Sequence, residues 1–152
     1  MRVVFALLVI ACLAAFLLTQ RIKHTPTAVQ NFKLTTAFSP YPAGRSKQEG
    51  ISFKLAQADA VTVTIVDSRG DTVATLIRDR PVERYKQLSL RWNGHRGTAR
   101  RYLQVLTPTG HAIIVPVNQG KLAAAGEYRV RVTLLHQGRG VYSPRSFTLV
   151  HP

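Results

Sequence analysis

The stretch Val61-Thr62-Val63-Thr64-Ile65-Val66-Asp67 alternates apolar and hydroxyl side chains and runs directly into a turn-forming sequence. A period of two places Val61, Val63 and Ile65 on one face of a β-strand and the threonines on the other. Residues 67–71 have the composition of a tight turn, and residues 73–77 resume the apolar pattern. These residues therefore predict a β-hairpin.

Similar alternation recurs at short intervals along residues 31–152, with glycine and proline turns between the segments. Short strands without a helical period after residue 24 are typical of an all-β sandwich, here predicted to be antiparallel. Further strands are predicted at residues 32–38, 51–55, 88–92, 102–106, 113–117, 128–134 and 147–149. The predicted core includes Phe53, Val63, Ile65, Trp92, Tyr128 and Val130, with a ligand-stacking role as the alternative for Trp92.

An uninterrupted apolar run, Val3 to Leu18, precedes this domain. As a helix it would be roughly 24 Å long, slightly short of a typical ~30 Å hydrocarbon core, and Arg2 and Arg21 can extend outward from its ends. We predict a signal anchor, a single transmembrane helix over residues 1–20. A juxtamembrane linker over residues 21–30 follows.

Two alternatives concern this run. Cleavage as a signal peptide would require a small-residue site after the apolar core, and the sequence there is Leu17-Leu18-Thr19-Gln20-Arg21. The stretch Val9-Ile10-Ala11-Cys12 resembles a bacterial lipobox, although the apolar run continues beyond Cys12. A lipid-facing Cys12 is the simpler expectation. Lysine and arginine are nearly balanced around the run, whereas its signal-like core favours export. We predict a single-pass cell-membrane protein with an extracytoplasmic C-terminal domain.

The charge balance is strongly basic, with 21 Lys and Arg against 7 Asp and Glu and a net charge of +14. Such a field attracts polyanions, and membrane tethering favours anionic lipid headgroups or envelope polymers over nucleic acid. Arg129 and Arg131 alternate with Tyr128, Val130 and Val132, so they should point away from the core. They are the candidate polyanion-binding residues, and a merely solvated strand face is the alternative.

No catalytic, cofactor or metal site is predicted. The histidines at positions 24, 95, 111, 136 and 151 are scattered and have no ligand-like spacing. Asp67 and Asp71 flank a turn, where hydrogen bonding to the backbone explains them better than a shared cation. Arg69-Gly70-Asp71 spells an adhesion tripeptide, but the turn itself requires Gly70. The sequence has no phosphate loop or hydrolase nucleophile motif.

Five motifs occur in a fixed order: Ile51-Ser52-Phe53-Lys54-Leu55, residues 61–67, Val73-Ala74-Thr75-Leu76, Trp92-Asn93-Gly94 and residues 126–132. This series resembles the Ig-like domain of the flagellar hook-capping protein family. The resemblance implies an Ig-like β-sandwich of the kind found as an accessory module on secreted and surface proteins.

Two departures from the family pattern stand out. Phe38-Ser39-Pro40 resembles an opening that precedes many such domains, but the acidic residues that should follow are missing. A calcium site is therefore not expected there. The segment between Gly94 and Gly126 is longer than the family's turn, and we predict an added hairpin within it.

Two functional hypotheses follow from these features. The first is a membrane-anchored, exported, non-catalytic interaction or structural module of the bacterial cell envelope, with an envelope protein as its partner. The second is a basic surface domain that binds an anionic envelope polymer or lipid headgroups.

Overall fold

The computed structural model describes residues 2–23 and 27–151, so His24 and the middle of the predicted linker lie outside the described residues. Within these ranges a helix is followed by β-strands, and the predominantly β class is confirmed. The elements are α1 (Arg2–Lys23), β1 (Val29–Leu34), β2 (Ala37–Phe38), β3 (Glu49–Leu55), β4 (Asp59–Asp67), β5 (Thr72–Val82), β6 (Gln87–Trp92), β7 (Gly97–Thr98), β8 (Tyr102–Leu106), β9 (Ala112–Pro116), β10 (Gly126–Leu134), β11 (Arg139–Tyr142) and β12 (Phe147–Leu149).

The N-terminal segment forms a helix, as predicted, and α1 continues past Gln20 to Lys23. Its sequence is rich in leucine and alanine and contains neither glycine nor proline, so no residue interrupts the helical hydrogen bonds. Among the described residues, no helix has the combination of length and apolar character that crossing a membrane requires. A helix is therefore confirmed over residues 2–20, whereas the prediction that it spans a membrane is not supported.

The strands form two sheets. The five-stranded sheet has the order β1-β3-β6-β9-β8, and the seven-stranded sheet has the order β2-β12-β10-β4-β5-β7 with β11 beside β10. Most pairs are antiparallel, but β2 with β12, β5 with β7, and β6 with β9 are parallel. The expectation of a purely antiparallel sandwich is therefore wrong. Parallel neighbours cannot be joined by a tight turn, and these partners are linked by longer excursions of the chain.

Apolar side chains from both sheets form one core, and all six predicted core residues are buried. Trp92 is fully buried, with ring centroids 5.6 Å from Phe38, 5.8 Å from Tyr128 and 6.0 Å from Phe147. Its indole N–H donates to the His95 carbonyl at 2.9 Å, so its one polar atom is satisfied. Trp92 is a core residue, and the ligand-stacking alternative is excluded because its ring is not accessible.

The predicted strand at residues 32–38 is divided between the two sheets. β1 belongs to the five-stranded sheet and begins at Val29, within the predicted linker, whereas β2 pairs with β12 in the other sheet. Periodicity alone could not reveal this crossing, because Phe38 still enters the same core from the opposite sheet.

The segment between β6 and β10, residues 95–123, is here called the inserted segment. It contains β7 and the predicted hairpin of β8 and β9, whose turn is closed by the Thr107 N–H donating to the His111 carbonyl at 2.9 Å. Ile114 pairs with Leu90 of β6 and is buried. The inserted segment thus extends the five-stranded sheet and also adds β7 to the other one.

Candidate anion-binding grooves

The larger of two basic grooves, here called the large groove, has a volume of 810 Å³. Arg45 and Lys47 come from the loop before β3, Arg91 from β6 and His95 from the inserted segment. The tertiary structure therefore gathers basic side chains from three separate parts of the chain. The remaining lining residues are Thr35, Pro40, Ser46, Gln48, Gly50, Asn93 and Leu122.

Local hydrogen bonds hold the walls of the large groove. The Ser39 N–H donates to the Ser46 carbonyl at 2.8 Å, and a Cβ at Gly44 would clash with the Ser39 carbonyl. On the opposite wall, His95 Nδ1 lies 2.8 Å from the Gly120 carbonyl oxygen. Because a carbonyl only accepts hydrogen bonds, Nδ1 carries the proton and the rest of the ring is fixed in orientation.

The second groove, here called the small groove, has a volume of 370 Å³ and lies within the inserted segment. Its cations are Arg96, Arg100 and Arg101, and all three side chains are exposed. The Gly120 N–H donates to the Arg96 carbonyl at 3.0 Å, and a Cβ at Gly120 would clash with that carbonyl. A close backbone approach therefore shapes this groove.

Neither groove contains a carboxylate among its lining residues. In the part of the chain that the structure describes, the ion pairs involve Arg69, Lys86 and His136, so the groove cations have no carboxylate within 4.0 Å. Guanidinium groups bind phosphate and carboxylate through paired hydrogen bonds. The chemistry of both grooves thus suits an anionic ligand.

Arg129 and Arg131 point away from the core, as predicted, but their surroundings differ. Arg129 is exposed and borders a 260 Å³ pocket together with the acidic residues Asp67 and Glu127. Arg131 is half-buried, and its guanidinium carbon lies 5.8 Å from the Tyr142 ring centroid. A Cβ at Gly140 would lie 3.0 Å from Arg131 Nε, so the bare backbone of β11 accommodates this side chain. The two arginines do not form a shared basic groove.

No protein-family model matches the chain, and no curated protein is significantly similar to it. The grooves are therefore interpreted from their own residues.

Two buried carboxylates, Asp59 and Glu49, lie outside the grooves, and their pKa values are shifted in opposite directions. Asp59 accepts hydrogen bonds from the Ala60, His136 and Gln137 N–H groups and lies 2.8 Å from His136 Nδ1. Burial raises its pKa, but these bonds prevail, and the pKa is lowered. Asp59 therefore fastens the end of β10 to the start of β4.

Glu49 is fully buried at the start of β3. Its Oε1 accepts the Thr35 N–H at 2.8 Å, and its Oε2 has no partner within the described residues. Burial raises the pKa of Glu49 from 4.5 to about 8, and the bond from Thr35 offsets only part of this effect. Gln48 and Gly50 line the large groove, but the Glu49 side chain is not accessible to a ligand.

The remaining candidate ligands have structural roles. Asp67 Oδ1 accepts the N–H groups of Arg69 and Asp71 at 2.9 and 3.0 Å, as expected of a turn-capping aspartate. His151 contacts the Tyr41 hydroxyl at 3.0 Å. Across the described ranges, no three His, Cys, Asp or Glu side chains are grouped as metal ligands would be.

The sequence could have indicated the small groove, because Arg96, Arg100 and Arg101 form a local arginine cluster. The large groove had no such signal. Arg91 is too far in sequence from Arg45 and Lys47 for spacing to relate them, and only the pairing of β3 with β6 brings their elements together.

Proposed function

We propose that this protein is a membrane-anchored, exported, non-catalytic interaction module of the bacterial cell envelope. The observation that carries the proposal is the surface of α1. Where its side chains are described, over residues 4–19, apolar side chains are exposed on every face of the helix, from Val4 at 66% to Leu18 at 63%. A helix that is apolar on every side is stable in lipid or inside another protein, but not in water.

The amino-acid sequence of this segment supplies a second argument for a membrane location. Its apolar run, residues 3–18, corresponds to roughly 24 Å of helix, and Thr19 and Gln20 extend it toward the ~30 Å hydrocarbon thickness of a bilayer. In the sequence, Arg2 precedes the apolar run, and Arg21 and Lys23 follow it, as is common where a membrane helix meets the lipid headgroups. These features support a lipid bilayer as the partner of the helix.

The Ig-like assignment of the β domain is also part of the proposal. The motifs that resemble the hook-capping family fall in order on β3, β4, β5, the end of β6 and β10. Their apolar positions are buried in one core. This order supports an accessory-module role, and the inserted segment takes the place of the family's short turn.

Fractionation of cells expressing the full chain tests the anchor. The protein should remain in the membrane pellet after a carbonate wash, and protease added to intact spheroplasts should digest the β domain. Leu8→Arg with Leu13→Arg should release it, since each central arginine costs about 2.5–3.5 kcal/mol of insertion free energy. Leu8→Phe with Leu13→Phe is the matched control and should stay in the pellet. A soluble wild-type chain would contradict the anchor, and protease protection would contradict export.

A second function, binding of an anionic envelope polymer or lipid headgroup, is favoured by the two basic grooves. They place six Lys and Arg side chains around concave surfaces that contain no carboxylate. We propose that the grooves, rather than Arg129 and Arg131, carry this binding.

Three matched double variants separate these sites: Arg45→Ser/Lys47→Ser, Arg100→Ser/Arg101→Ser and Arg129→Ser/Arg131→Ser. Each removes two positive charges. The full chain in neutral-lipid nanodiscs is titrated with polyphosphate, and in a second arm with vesicles that contain phosphatidylglycerol. Binding should weaken at high salt and fall most in the two groove variants. An equal loss in all three would assign binding to net charge, and no wild-type binding at low salt would remove this function.

A further inference from the structure

Strand β8 is an apolar edge of the five-stranded sheet. Tyr102, Leu103, Val105 and Leu106 are exposed by 43, 59, 51 and 68%. β8 is the terminal strand in the sheet order, with β9 on its inner side. Exposed apolar side chains therefore accompany a row of backbone groups that are free to pair with another strand.

Other edges of the described sheets are protected against such pairing. β1, at the opposite edge of the same sheet, contains Lys33 and has a register break between Gln30 and Lys33. β2 and β7 have only two residues each. β8, in contrast, contains no charged residue and no proline and pairs with β9 without a register break. Devices that normally prevent edge-to-edge association are missing here.

Hydrogen bonds at the two ends of β8 show which of its residues point their backbone N–H and C=O groups toward β9. The Val117 N–H donates to the Arg101 carbonyl, and the Thr107 N–H donates to the His111 carbonyl, both at 2.9 Å. Residues 101 and 107 therefore direct their hydrogen-bonding groups toward the β9 side. Because the direction alternates along an antiparallel strand, Tyr102, Gln104 and Leu106 direct theirs toward the free edge.

We propose that β8 pairs antiparallel with β8 of a second copy of this chain, with the two-fold axis at Gln104. The order apolar, apolar, Gln104, apolar, apolar is self-complementary: Tyr102 then lies opposite Leu106, and Leu103 lies opposite Val105. The outward-facing residues form hydrogen-bonded pairs in this register, and each pair exchanges two hydrogen bonds.

The charges also fit a second copy. In this register Arg101 lies opposite Thr107 of the second copy, and Arg100 lies opposite Pro108. No arginine of β8 or its flank is therefore placed directly opposite another arginine, although the chain has a net charge of +14. The two five-stranded sheets become one continuous sheet through an isologous contact. A contact made mainly by one strand pair is small, so the dimer is weak and concentration-dependent.

Sedimentation of the full chain in detergent micelles, up to about 1 mM protein, tests the dimer. Gln104→Lys places two lysines opposite each other and should raise the dissociation constant about fivefold or more. Thr109→Lys adds the same charge at the exposed hairpin tip and should leave the dimer unchanged. A wild-type chain that stays monomeric, or equal effects of the two variants, would overturn the proposal.

Cross-linking gives an independent readout of the register. Gln104→Cys and Thr109→Cys are each made with Cys12→Ser and treated with a short bis-maleimide. The proposed pairing places the two Cα atoms of residue 104 about 5.5 Å apart. The copies of residue 109 are roughly 34 Å apart at about 3.4 Å per residue. Covalent dimers should form at position 104 alone, and equal yields at both positions would rule out this register.

Discussion

The aromatic core of the sandwich and the inserted segment are held in place by different interactions. In the core, Trp92, Phe38 and Phe147 are at most 2% exposed and pack against one another. The inserted segment contributes only Ile114 and Ala123 to that core cluster; main-chain hydrogen bonds and the buried amide of Asn118 also attach it, and every side chain of β8 is exposed. Apolar burial thus builds the scaffold, and polar anchors position the surfaces that carry the small groove and the free edge.

The largest effect is expected in the core. Trp92→Ala removes the side chain at the centre of the aromatic cluster and should lower the free energy of unfolding by about 3–5 kcal/mol. Thermal unfolding of the full chain in micelles, followed by near-ultraviolet circular dichroism, measures this loss. Tyr102→Ala in the inserted segment is the comparison and should cost far less, because Tyr102 is 43% exposed. Similar losses in the two variants would remove the distinction between the regions.

A smaller effect, which depends on pH, is expected at Glu49. Its pKa in the folded protein, about 8, exceeds its ordinary value of 4.5, so the folded state binds more protons between these values. Wild-type stability should therefore fall as pH rises from about 4.5 to about 8. Glu49→Gln cannot ionise and should be more stable than wild type by a few kcal/mol at pH 8. That advantage should disappear at pH 5.

Denaturant unfolding at several pH values checks this behaviour, and Asp59→Asn supplies the contrast. The pKa of Asp59 is lowered, so its contribution is present above the ordinary value of 3.8 and is lost as pH falls. Asp59→Asn should therefore be destabilised at pH 7. If the free energies of unfolding of wild type and Glu49→Gln change with pH in the same way, the pKa of Glu49 does not differ between the folded and unfolded states, and the prediction is wrong.

The smallest of the three effects concerns the attachment of the inserted segment. Asn118 Nδ2 donates to the Thr75 carbonyl at 3.2 Å and to the Gly97 carbonyl at 2.6 Å. Asn118→Ala should cost about 1–3 kcal/mol, because the Thr75 carbonyl loses one of its two donors and the Gly97 carbonyl loses its bond from the amide. Hydrogen exchange should accelerate at Ala99, whose N–H donates to Thr75, more than in β4. Thr109→Ala is the control, and uniform acceleration would mean that the segment is not a separate unit.

Much of the fold could be predicted from local pattern. The β4–β5 hairpin, the β8–β9 hairpin and the six core residues follow from alternation and turn residues, which depend on neighbours in sequence. Local pattern did not predict β11, nor the division of residues 32–38 between two sheets, nor the parallel pairing of strands such as β2 and β12. These features depend on which distant strand lies alongside, and a period of two does not contain that information.

Local sequence pattern was sufficient to predict an apolar helix before a β-rich, strongly basic chain and to place Trp92 in the core. The physical reason is that burial of apolar surface acts on every strand in the same way, whatever its partner. The places where positive charge is concentrated, in contrast, depend on how distant strands pair. Strand pairing brings Arg91 beside the loop of Arg45 and Lys47, and it leaves Arg131 half-buried against β11. Through-space electrostatics depends on those distances, which sequence separation does not fix.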